Sequence, residues 1–176
     1  MIALVAGQRF SRSSPSDAPQ AATTAQPGDA SGGMPDISNM TPAEAAVRLY
    51  NRVMGAHERG RADTVQIFAP MAISAYQMLG NLDVDQRYDL GRIAAISGDE
   101  QLARAEADSI LAKQPTHLLG LILAEDAARL RRDATAQASL QKRLLSAADA
   151  ERAKKLPEYI THENDITLAL DQAKRK

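Results

Sequence analysis

Apolar residues recur along this chain at the spacing of helices. After residue 41, Ala45, Ala46, Leu49, Tyr50, Val53 and Met54 form one stripe at i, i+4 and i+8 offsets, which predicts an amphipathic helix. The run Thr41-Pro42-Ala43-Glu44 opens it. Threonine caps, proline suits the first position, and Glu44 can reach back to complete a capping box. Gly60 stops it. Val65, Phe68, Ala72, Tyr76 and Leu79 predict a second helix closing at Gly80, with Pro70 either kinking it or marking where its regular part begins. Asp83 opens a third helix, with Leu90, Ile93 and Ala94 inward, that ends at Gly98. Asp99 caps a fourth carrying Leu102, Ala103, Ile110 and Leu111, with Pro115 beyond its end. Thr116 is expected to open a fifth through Leu119, Ile122, Leu123, Ala127 and Leu130. Asp133 caps a sixth through Ala134, Ala138, Leu140, Leu144 and Leu145. Thr161 is expected to begin a last helix through Ile166, Leu170 and Ala173. No stretch alternates with period two long enough to predict a strand. The expectation is an all-α fold of six or seven short antiparallel helices.

Composition agrees. Alanine and leucine, strong helix formers, dominate, and aromatics amount to two phenylalanines and four tyrosines with no tryptophan. Ahead of the helices the pattern vanishes. Residues 11–40 are mostly Ser, Pro, Ala, Thr, Gln, Gly and Asp, with prolines at Pro15, Pro19, Pro27 and Pro35. Such a segment has too little to bury to offset the entropy of ordering, roughly 1–2 kcal/mol per residue, and is read as a flexible linker. Residues 1–10 hold the apolar run Ile2-Ala3-Leu4-Val5-Ala6, far short of the ~20 residues that span a bilayer. This run admits two readings. It is the stub of a membrane anchor, or it is an ordinary disordered start, including a short peptide that docks on a partner; the extracytoplasmic (periplasmic) side of a membrane is the expected location, with the cytoplasm as the alternative. A long Pro/Ser/Gly spacer commonly follows an anchor, which favours the first.

A period runs through the helical part. Asp99 and Asp133, both capping residues, stand one 34-residue interval apart. From Leu90 to Pro115 the chain reads LGRIAAISGDEQLARAEADSILAKQP. Over residues 84–115 this resembles the tetratricopeptide repeat (TPR): Leu90-Gly91, the Gly98-Asp99 turn, the small Ala103 and the closing Pro115 stand where that motif has them. Departures are Arg87 where the family often has tryptophan, Ala94 where it has tyrosine and Ala107 where it has a large aromatic. The next unit, from about Leu118 to Ala147, keeps the length and the Arg132-Asp133 turn without the Leu-Gly pair. The pair from Pro42 to Leu79 keeps only the helix–turn–helix pattern. The resemblance implies a short α-solenoid of stacked helical hairpins with a C-terminal capping helix, the minimum that buries a core by stacking.

Little in the chain points to chemistry. Cysteine is absent, which removes disulfides, thiolate nucleophiles and cysteine-ligated metals. The formal net charge is −1, which argues against non-specific nucleic-acid binding. Residues 81–120 lean acidic (Asp83, Asp85, Asp89, Asp99, Glu100, Glu106 and Asp108 against Arg87, Arg92, Arg104 and Lys113), and the chain ends in Lys174-Arg175-Lys176. These read as solvated helix faces. His57, His117 and His162 are widely separated and each is expected to be exposed or capping. His162-Glu163-Asn164-Asp165 lacks the i, i+4 histidine pair of a zinc helix, and Asp83, Asp85 and Asp89 are accounted for largely by capping. There is no calcium loop, phosphate-binding glycine loop or nucleophile motif. The chain is therefore expected to be no enzyme and to need no cofactor, metal or small-molecule substrate.

TPR proteins bind peptides or partner domains in the concave groove formed by the first helix of each hairpin. The resemblance makes Tyr88, Arg92, Asp126 and Arg129 candidate groove residues. Tyr88 would offer an aromatic contact, and the two arginines could pair with carboxylates of a partner. The family's lysine- and asparagine-rich carboxylate clamp is not evident. The expected function is a protein–protein interaction module, an adaptor or scaffold. The alternative is a constitutive structural or accessory subunit of a larger, membrane-bound complex.

Overall fold

Local signals set the helix starts. In the computed structural model, which describes residues 39–175, the Thr41 hydroxyl accepts from the Glu44 amide while Glu44 returns a carboxylate to the Thr41 amide at 2.8 Å. Asp83 and Gln86 make the same reciprocal box, and Asp99 and Asp133 each accept a backbone amide three residues on. These caps start α1 (Pro42–Glu58), α3 (Val84–Ser97), α4 (Glu100–Lys113) and α6 (Ala134–Arg152). The remaining helices are α2 (Ala62–Met78), α5 (Leu118–Leu130), α7 (Pro157–Thr161) and α8 (Glu163–Lys174). The described residues are thus all-helical, with no strand. The segment 1–10 and all but the last two residues of the 11–40 linker lie outside them.

Three expected boundaries differ. Thr116 caps nothing: His117 occupies the cap position of α5, and the Thr116 hydroxyl binds Glu151 on α6. Thr161 ends a helix instead of starting one, its hydroxyl bonding to the Pro157 carbonyl within the short α7. Pro70 lies inside an unbroken α2. The proline removes one amide donor and crowds the carbonyl of Gln66, and both residues face solvent, where water can take the freed acceptor.

Successive helices pack on their chain neighbours, and three tight turns repeat one geometry. At the α1–α2, α3–α4 and α5–α6 turns the amides of Arg61, Asp99 and Asp133 donate to the carbonyls of Ala56, Ala94 and Ala128 at 2.9, 2.8 and 2.9 Å. The residue before each donor is left-handed: Gly60 (φ 67°), Gly98 (φ 87°) and Arg132 (φ 59°). This is the Schellman closure, which satisfies the last carbonyls of a helix. Arg132 holds a conformation that costs an L-residue roughly 1–2 kcal/mol, so Arg132→Gly is expected to raise stability by about 1 kcal/mol and Gly98→Ala to lower it by a similar amount. Opposite shifts of the urea midpoint check this; equal signs would show that the two turns are not equivalent.

The core runs through all hairpins. Ala46, Leu49, Val53, Phe68, Ala72 and Tyr76 form one cluster with Leu90 and Ile93. Ile110, Leu118, Leu119, Leu123, Leu144, Tyr159, Ile166 and Leu170 form another around α5, whose residues 118–124 are all buried. Gly91 lets α3 and α5 meet: a Cβ there would stand 2.5 Å from Leu123 Cδ1 and 3.4 Å from Glu106 Cβ. Because Leu123 is itself fully buried, it has nowhere to turn. Gly91→Ala is expected to cost about 1–3 kcal/mol by overpacking, and an unchanged thermal midpoint would refute that. Beside it Arg87, at the position where the repeat family has tryptophan, reaches Glu106 on α4 at 2.8 Å.

Candidate functional site

The first helices of the hairpins, α1, α3 and α5, bring a polar network to one face, and the chain closes that face with the start of α8. Tyr88 and Arg92 lie one turn apart on α3, and Asp126 lies on α5 one 34-residue interval beyond Arg92. Arg92 Nη1 donates to Asp126 Oδ2 at 2.8 Å, and Arg129 donates to the other oxygen of the same carboxylate. From α8, Asp165 Oδ2 accepts the Tyr88 hydroxyl at 2.9 Å and sits 3.8 Å from Arg92 Nε. His162, at the α7–α8 joint, packs edge-on against Tyr88 with ring centroids 4.5 Å apart.

The same face continues toward the first hairpin. Tyr76 on α2 donates to Asp89 Oδ2 at 2.6 Å, and the Tyr50 hydroxyl on α1 faces the same carboxylate. Asp89 Oδ1 has no hydrogen-bond partner and lies 3.5 Å from His162 Nε2, whose nearer contact is Asp85 Oδ1 at 3.0 Å. The histidine's other nitrogen is 3.9 Å from Asp165. Capping therefore accounts for Asp83 but not for Asp89, which is 5 % exposed. The expectation that the histidines are exposed or capping holds only for His57. His162 is buried, as is His117, and neither caps with its side chain.

Burial governs the electrostatics. It pushes the Asp89 carboxyl up to about 7; the Tyr76 hydrogen bond pulls the other way, and the Asp85 charge adds to the rise. The Tyr50 and Tyr76 phenols are raised by the same burial, reinforced by the Asp89 charge. Burial lowers His162 against the pull of Asp85 and Asp165. Asp89 and His162 stand close enough to share one proton, so their titration belongs to the pair. Arg92 stays charged: burial works against its charge, but Tyr88, Asp126 and Asp165 hold it.

The four residues expected to line a groove thus separate by environment. Tyr88 is fully buried, Arg92 and Asp126 are nearly so, and Arg129 is exposed. Three of them share one ion-pair group, while Tyr88 joins it through Asp165. Sequence reasoning passed over Asp89, Asp165 and His162 as members. The one available signal was that Asp85 and Asp89 lie a turn apart beside Tyr88; nothing local announces that α8 meets Tyr88, a contact that spans 77 positions.

A second buried cluster joins the α4–α5 connection to α6 and α7. Glu151 accepts from Thr116, Tyr159 and Lys154, and the Tyr159 hydroxyl receives the Leu118 amide at 3.0 Å. His117 packs at a tilt against Tyr159 and meets Glu158 at 3.2 Å; burial lowers its basicity, opposed by Glu158. These contacts complete the backbone and rigidify the joint. A depression between α5, α6 and α8, lined by Ile122, Gln141 and Ala169, has room for about one water. Among the described residues no group of three or more histidine, aspartate or glutamate side chains is placed to hold a metal ion, and no helix is long and apolar enough to cross a membrane. No protein family, curated protein or solved structure matches this chain.

Proposed function

We propose that the helical domain is a non-catalytic protein-interaction module built as a TPR-like stack, an adaptor or scaffold that uses the face formed by α1, α3 and α5. The observation that carries this reading is that the face already takes an acidic helix start: Asp165, in the first turn of α8, accepts from Tyr88 and lies beside Arg92, while the body of α8 packs on α6 and α5. A surface that takes an acid-bearing amphipathic helix in cis has the chemistry to recognise one in trans. The regular spacing supports a repeat stack. Val84 and Leu118, Glu100 and Ala134, and the caps Asp99 and Asp133 begin equivalent elements one period apart, and Arg92 meets its counterpart Asp126 across the α3–α5 contact. Arg129 is the open edge of the site, half-exposed and positioned for a partner's carboxylate.

The alternative, a constitutive subunit of a larger and membrane-bound complex, draws on other residues. With the start of α8 in place Tyr88 is fully buried, while Ile160 on α7 and Leu168 on α8 point outward at 71 % and 57 % exposure. Gentle-detergent co-purification of the native full chain, repeated with Arg129→Glu, tests both. A specific protein retained by the native chain and lost with the variant supports the adaptor. A stoichiometric complex indifferent to Arg129 supports the subunit, and recovery of no specific protein counts against each.

A further inference from the structure

Helix α8 is held more lightly than the elements around it. Helix α7 is anchored deep: Tyr159 is buried, its hydroxyl donates to Glu151 and accepts the Leu118 amide at 3.0 Å, and Glu158 meets His117. His162 then ends α7 and begins α8, and no side chain caps α8 there. One non-helical residue between two helices (φ −106°, ψ 27°) is the place where a rigid swing needs the least change of backbone. Three buried apolar side chains, Ile166, Leu170 and Ala173, seat the body of α8 on α6 and α5, whereas α5 itself has ten buried residues.

The polar end of that seat is costly to close. Asp165 brings its carboxylate out of water to the Tyr88 hydroxyl and Arg92. At the same seam Asp89 Oδ1 has no hydrogen-bond partner, with His162 Nε2 3.5 Å away. A buried acceptor left unsatisfied carries its full desolvation cost, which an outward swing of α8 relieves by admitting water. The face behind stays assembled. Arg92 keeps Asp126 at 2.8 Å, and the cluster of Leu49, Phe68, Tyr76, Leu90 and Ile93 has no member from α8.

We propose, on the adaptor reading of this face, that α8 is an autoinhibitory strap hinged at His162. Its Asp165 occupies the Tyr88–Arg92 site in cis and excludes an acid-bearing amphipathic helix offered in trans, which binds when α8 swings away. A tethered strap competes at an effective concentration on the order of 1 mM, and an incoming helix loses affinity in proportion to the fraction of chains that are closed.

Hydrogen exchange of the full chain is expected to show amides in residues 167–174 exchanging about tenfold faster than those of α5, or more, through opening of α8 alone. Asp165→Lys sets an ammonium beside Arg92 and is expected to speed exchange in α8 by a further factor of about ten while α5 keeps its protection. That side chain is 25 % exposed, so a lysine can reach water and leave the core intact, which circular dichroism verifies. A labelled peptide of residues 163–176 is then expected to bind the Asp165→Lys chain about tenfold tighter than the native chain, and the same peptide carrying Asp165→Lys loses that gain. Tyr88→Phe weakens the cis and trans contacts alike, so exchange in α8 rises while peptide affinity stays near the native value. An α8 that exchanges only together with α5 overturns the proposal, as does an exchange rate that Asp165→Lys leaves unchanged or a peptide that binds both chains equally. The peptide is the chain's own segment, so its capture needs no outside protein. An adaptor that retains nothing in co-purification fails separately, and a strap that never opens leaves the Arg129 test standing.

Discussion

Replacing Arg92 by methionine is expected to cost the domain about 3–5 kcal/mol, because it strips the counter-charge from carboxylates that remain inside. Arg92 contacts Asp126 at 2.8 Å and lies 3.8 Å from Asp165, with its own side chain 16 % exposed. Asp126 would keep Arg129, but Asp165 would face Tyr88 and the other acids of the cluster with no cation beside it. Buried pairs are stabilising chiefly in the sense that halves of them are ruinous. The double variant Arg92→Met with Asp165→Asn is therefore expected to recover much of the loss, because the amide leaves no unpaired charge beside Tyr88. Equilibrium urea unfolding with an unchanged m-value measures both. As a control, Arg104→Ala opens the exposed i, i+4 pair with Asp108 and should shift stability by less than about 0.5 kcal/mol. A single-variant loss no larger than that control would show that Arg92 does not hold the inner face together.

The second large effect is set by pH. Asp89 is protonated in the fold up to about 7, against about 4 for a free side chain. Its contribution is fully present below the unfolded value and is lost as pH rises through the folded one, at up to about 1.4 kcal/mol per pH unit. The histidines act with the opposite sign. His117 and His162 are lowered by burial, so their contributions are present above about 6.5 and are lost as pH falls below it. The two trends oppose each other between about 4 and 6.5, and the native chain shows a muted profile there. Asp89→Asn separates them, because the amide mimics the neutral acid. The variant is expected to gain on the native chain steadily from pH 4 to 7 and to hold that advantage above. A difference between the two that is flat across this range would place Asp89 among ordinary ionised carboxylates.

Legibility from sequence followed the range of the interactions. Thr41, Asp83, Asp99 and Asp133 were readable as caps because each bonds to an amide three residues away. Thr116 carries the same local signal and fails as a cap because Glu151, 35 positions on, takes its hydroxyl. Thr161 fails for a different reason: Pro157 starts its own turn of helix and recruits that hydroxyl to its carbonyl. The hairpin turn at Gly98 was legible, and the matching turn at Arg132 was legible through its length. The expectation that Tyr88, Arg92 and Asp126 share one face was read from the family resemblance. That they would be buried was not, because burial there is supplied by α8, and an amphipathic helix does not state which face of the chain will receive it. Asp89 and His162 are the sharpest case. Each looks like a surface residue in its own segment, and only the convergence of α1, α2, α3 and α8 removes both from water.

The clasp formed by Tyr88, Arg92 and His162 with Asp165 also has a bearing on order in time. The hairpin contacts join residues near in sequence, and structure of that kind forms early and quickly. The bonds from Tyr88 to Asp165 and from Asp85 to His162 each bridge 77 positions and wait for nearly the last helix. In a chain emerging from its N-terminus, α3 and α5 are complete while their polar face still lacks its closing partner. During that interval Arg92 has Asp126 for company, and water must serve the Tyr88 hydroxyl. Seating of α8 is then the step that closes this polar face, and until it happens one side of Tyr88 and Arg92 stays open to water.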